Sequence, residues 1–109
     1  MTKYIVGLLL ALLSSIAIAS PETEEKRAFC AWSATNAEAA AEARQVLQMT
    51  DEEFTTRVLI FYNQLLMSGM PEMMVMQTMS DIVDGWNSPW GPEITKQKVY
   101  ETCMGRSSV

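Results

Sequence analysis

Histidine is absent from all 109 residues. Its absence removes the usual general base near neutral pH and the commonest zinc ligand. Cysteine occurs only twice and never as Cys-x-x-Cys, the arrangement expected of a thiol–disulfide redox enzyme. Neither a Gly-rich phosphate loop nor a Gly-x-Ser-x-Gly elbow is present. Basic side chains are few, 8 Lys and Arg against 13 Asp and Glu, which argues against nucleic-acid binding, since that needs a basic patch. No segment reads as a strand, an internal repeat or a linker. The carboxylates are the remaining candidates for chemistry. Asp81 and Asp84 stand one helical turn apart and read as a solvated face near a helix end. Asp51, Glu52 and Glu53 are explained by the dipole of the helix they open. The sequence therefore predicts a protein that is not an enzyme and needs no cofactor.

One long apolar run is present, Tyr4 to Leu13, preceded by Lys3 and followed by Ala17-Ile18-Ala19-Ser20-Pro21. A basic residue, a short apolar stretch and an Ala-x-Ala site predict a signal peptide over 1–19, cleaved after Ala19. The run is shorter than the ~20 residues that span a bilayer, so no membrane span is expected in the mature form. No cysteine lies near the cleavage site to make it a lipoprotein. Residues 20–109 would then form one domain. Losing Lys3 leaves seven basic against thirteen acidic side chains, a net charge of −6, which suits solubility or a cationic partner.

An exported chain with two cysteines is expected to pair them, so Cys30 and Cys103 are predicted to form a disulfide closing the domain near both ends. Between them the periodicity predicts four helices. The first, from about Thr23 to about Gln48, places Phe29, Trp32, Asn36, Ala39, Ala43 and Val46 at steps of three and four. Thr50-x-x-Glu53 is a capping box that opens the second. Its stripe Phe54, Val58, Phe61 and Leu65 is widened by Leu59, Tyr62 and Leu66, which predicts a helix central to the core, ended at Ser68-Gly69 by a left-handed glycine. A third helix is expected from Pro71 to Gly85, and a fourth from about Glu93 to Met104 with Ile94, Val99 and Cys103 inward. The expected class is all-α, a small four-helix domain that is orthogonal or bundle-like, with a loose tail from Arg106 to Val109.

Methionine is the most over-used residue, with 9 copies. Met67, Met70, Met73, Met76 and Met79 follow one another at steps of three, with Met74 alongside. Three readings stand: core packing, an adaptable surface for a protein partner centred on Met70, Met73, Met74 and Met76, and a soft Cu(I) site at Met73, Met76 and Met79. Trp86 and Trp90 flank a Pro-containing turn, either as anchors for a partner or as plugs for a small core.

Around the first cysteine, Phe29-Cys30-Ala31-Trp32-Ser33-Ala34-Thr35 contains Cys-x-Trp-Ser-x-Thr. With the N-terminal signal and the second cysteine in Tyr100-Glu101-Thr102-Cys103, this resembles the spackle family of large tailed phages. The resemblance does not extend to the Met-rich helix or the Trp86–Trp90 turn. It implies a helical periplasmic protein with one disulfide, Cys30–Cys103, that blocks the phage tail lysozyme and excludes superinfecting phage. Trp32 and Ser33 match the family's positions without an assigned role. The leading expectation is therefore an exported helical protein that occupies a protein partner, a basic lysozyme foremost, with an acidic rim and apolar anchors. The alternatives are a periplasmic stress chaperone, which the chain resembles in plan only, and a Cu(I) carrier.

Overall fold

The computed structural model describes residues 21–106, which contain four helices and no strand. The expected signal peptide and its cleavage site lie outside the described residues, as do positions 107–109 of the expected tail. No helix among the described residues is long and apolar enough to cross a membrane.

Each helix begins and ends where local chemistry directs. Helix α1, Pro21–Gln45, opens on a proline, whose fixed φ suits the first turn, and acids that favour the positive end of the dipole. Past its end, Gln48 takes a left-handed conformation with φ 54°, and the Met49 N–H returns to the Ala43 carbonyl at 2.8 Å. Helix α2, Asp51–Met67, starts with the expected capping box. The Glu53 N–H donates to Thr50 Oγ1 and the Thr50 N–H to Glu53 Oε1, both at 3.1 Å. Gly69, at φ +89°, reverses the chain as anticipated. Helix α3, Glu72–Trp86, runs one residue beyond Gly85, the expected stop. Helix α4, Pro92–Gly105, again has a proline in its first turn.

The order of burial differs from expectation. Helix α1, rather than α2, is the centre: its backbone runs close to both α3 and α4, whereas the backbone of α2 comes close only to α3. No Cα of α2 comes within 8 Å of one in α1. The reason lies in side-chain size. The face that α1 buries is Cys30, Ser33, Ala34, Ala37, Ala40 and Ala41, small residues that let two neighbouring helices approach closely. The stripe expected to be internal lies beside it: Phe29, Asn36 and Ala43 are half-buried, and Trp32, Ala39 and Val46 are exposed. On α2 only Leu65 is fully buried, with Phe54, Val58 and Phe61 half-covered. On α4, Thr95 joins Val99 and Cys103 inside, and Ile94, expected inward, is half exposed.

Two small apolar clusters result. Ala34, Ala37 and Val99 pack with Tyr100, and Ala40, Ile82 and Trp86 pack with Phe54, Val58, Phe61 and Met79. The disulfide Cys30–Cys103, with Cα atoms 5.6 Å apart, joins α1 to α4 as expected.

Candidate partner-binding surface

Beside the disulfide lies a polar node that holds three helices together. Asp81 of α3 is 1% exposed, which corrects its expected place on a solvated face. Its carboxylate accepts from Ser33 Oγ of α1 at 2.7 Å and from the Arg106 guanidinium, just past α4, at 3.0 Å. Lys26 Nζ in turn donates to the Arg106 carbonyl, and Gln77 Nε2 lies 3.4 Å from Cys103 Sγ. A buried carboxylate needs such partners, because unpaired charge in an apolar interior is strongly unfavourable. Truncating it would strand Ser33 and Arg106. Asp81→Ala should lower stability by about 2 kcal/mol, less than for a fully enclosed pair because Arg106 is partly exposed; urea denaturation measures it.

Of the residues that carry the resemblance, Cys30 and Ser33 are buried in this interior, whereas Trp32 and Thr35 are exposed. Cys30 forms the disulfide, Ser33 donates to Asp81, and Thr35 Oγ1 donates to the Ala31 carbonyl one turn earlier. Trp32 lies 6.1 Å, ring to ring, from both Phe29 and Phe61. Cys30 and Ser33 thus tie α1 to α4 and α3, and Trp32 meets α2 at Phe61.

The turn after α3 separates the two candidate tryptophans. Trp86 is 7% exposed and stacks on Phe54, with centroids 4.0 Å apart and planes 13° from parallel. Arg44 donates to its carbonyl at 2.9 Å and lies 5.9 Å from its ring centroid. Trp86 is thus a core plug and offers no surface to a partner. Trp90 is 46% exposed on a firmly held turn. Gln45 Nε2 donates to the Trp90 carbonyl at 2.7 Å, the Trp90 N–H donates to Ser88 Oγ, and Ser88 and Thr95 share a hydroxyl hydrogen bond of 2.6 Å. Lys98 Nζ lies over the Trp90 ring, 4.5 Å from its centroid. Below the turn is a cleft of about 340 Å³ lined by residues of both charges, among them Asp84, Lys98 and Arg106.

Exposed large apolar side chains are most numerous on α2 and α3 among the described residues. Leu59, Ile60, Leu66 and Met67 are 56, 53, 39 and 86% exposed. At 3.6 residues per turn they fall on the side of α2 opposite Phe54, Val58, Phe61 and Leu65. On α3, Met73 and Met76 are 60 and 52% exposed, with Val83 further along the same side. Met70 and Met74 are half-buried. Met79 packs into the Trp86 cluster, so the three methionines of the copper reading divide between surface and core. Sequence reasoning assigned Leu59 and Leu66 to the core and gave Ile60 no role. The seven-residue spacing of Leu59 to Leu66 and of Ile60 to Met67 was the available sign of a second apolar face.

No family model, curated protein or solved structure matches the chain.

Proposed function

We propose that this is an exported binding protein that acts by occupying a protein partner, with a lysozyme as the leading partner and superinfection exclusion as the outcome. One observation carries the binding reading. Along its C-terminal half, helix α2 carries Leu59, Ile60, Leu66 and Met67 away from the Phe54, Val58, Phe61 and Leu65 side, and the domain covers only the latter. Large exposed apolar groups on a small protein mark interaction sites. The polar node and the disulfide fix α1, α3 and α4 to one another, and the Phe54–Trp86 and Trp32–Phe61 contacts seat α2 on them, so a partner would meet a preformed surface at little ordering cost. The Cys-x-Trp-Ser-x-Thr resemblance and the acid excess favour a basic lysozyme, which such a charge would steer toward the protein. Blocking would be steric, with Leu59, Ile60, Met67, Met73, Met76 and Trp90 as the anchors.

The test is peptidoglycan hydrolysis by phage-tail and cell-wall lysozymes, titrated with the oxidised protein. Activity should fall in proportion to added protein and reach its floor at a fixed stoichiometry. Full activity of every lysozyme at excess protein would refute the inhibitor reading.

A further inference from the structure

Between α1 and α2, where the helices stand apart, runs an open groove of about 240 Å³. One wall is alanine, Ala39, Ala40 and Ala43; the other is Phe54, Val58 and Phe61. The alanines leave the gap that larger side chains would fill. Arg57 is the only charged residue lining it, and its guanidinium makes no ion pair or hydrogen bond among the described residues. Glu53, one turn earlier on α2, has its carboxylate engaged by the Thr50 N–H in the capping box.

We infer that this groove binds a single-chain amphiphile with an anionic head, a long-chain carboxylic acid, its tail against the alanines and its carboxylate on Arg57. The lining selects that chemistry. An apolar trough gains from every methylene it withdraws from water, and a cavity of roughly 150 Å³ already holds benzene. The groove's volume suits one alkyl chain and is too small for a helix, whose diameter with side chains is about 10–12 Å. An unpaired guanidinium at an apolar trough matches a carboxylate, to which it can donate two parallel hydrogen bonds. The site lies on the opposite side of α2 from the proposed partner surface and does not depend on that reading.

Calorimetric titration of the protein with dodecanoate, below its micellar concentration, tests the assignment. Saturable binding is expected, with a rise in the thermal midpoint because the ligand binds the folded state. Ala39→Leu should weaken binding at least tenfold, since the leucine takes the room of several methylenes worth roughly fourfold each. Arg57→Gln requires no repacking; it should weaken dodecanoate binding by about three- to fivefold and bring it level with dodecanol. No saturable binding, or binding unchanged by Ala39→Leu, overturns the proposal. Equal affinity of the unaltered protein for acid and alcohol overturns the anionic head. Concentration-dependent dimerisation that Ala39→Leu abolishes would give the groove to a second copy instead.

Discussion

Gly85→Ala is expected to be among the most damaging single substitutions in the domain, lowering the thermal midpoint by more than about 10 °C. An alanine Cβ at this position would stand 2.2 Å from the Ala37 carbonyl oxygen and 2.8 Å from the Ala37 Cα. All of the crowded atoms are backbone, so no side chain can turn aside, and α1 and α3 must separate. Separation opens both apolar clusters, because Ala37 belongs to one and Trp86, next to Gly85, to the other. Overpacking of a closed core costs about 1–3 kcal/mol or more. Against that, alanine gains up to about 1 kcal/mol over glycine in a helix. A 2.2 Å approach to backbone places this site at the top of the overpacking range, about 3 kcal/mol, so the net is destabilising by about 2 kcal/mol, and a thermal melt followed by circular dichroism measures it. Gly91→Ala, where an added Cβ meets nothing within 4 Å, is the control and should leave the midpoint nearly unchanged.

The second large effect concerns the crosslink. Cys30 and Cys103 are separated by 73 residues, and closing a loop of that length removes about 4 kcal/mol worth of chain entropy from the unfolded state. Total stabilities of small domains are only about 5–15 kcal/mol. This core has little to spare. Its largest fully buried side chains are Val75, Thr78, Thr95 and Asp81, and four of the eleven buried apolar residues among the described residues are alanines. Cys30→Ser should therefore lower stability by about 2–5 kcal/mol, and a reducing agent should lower the unaltered protein's denaturation midpoint correspondingly. Identical midpoints with and without reductant would show that the crosslink contributes nothing.

Features written in short-range chemistry were legible in the sequence. The capping box at Thr50 and Glu53, the glycine reversal at Gly69 and the helix starts expected near Thr23 and Glu93, within two residues of the observed Pro21 and Pro92, rest on contacts within a few residues. The disulfide followed from having two cysteines and no third to compete. Packing partners were harder to read. Periodicity weights side chains by size, so it favoured Phe29, Trp32 and Val46 over the alanine face that α1 buries. Gly85 resembles a helix stop in sequence; its role as the point where α1 touches α3 depends on a residue 48 positions away. Asp81 resembles a surface acid until Ser33 and Arg106 are placed around it. The exposed face of α2 was concealed in the same way: apolar residues all round a helix look identical whether the second side meets the domain's own core or another molecule.

That second side is where the account can be tested most directly. The oxidised protein and an Ile60→Glu, Met67→Glu double variant would each be titrated into a muramidase assay built on phage lysate and periplasmic extract. Both substitutions sit on exposed positions, so the variant should melt at nearly the same temperature as the parent. The account predicts that the parent suppresses muramidase activity stoichiometrically and that the variant, equally folded, loses at least about tenfold in potency. Equal inhibition by both proteins, or none by either, would contradict it.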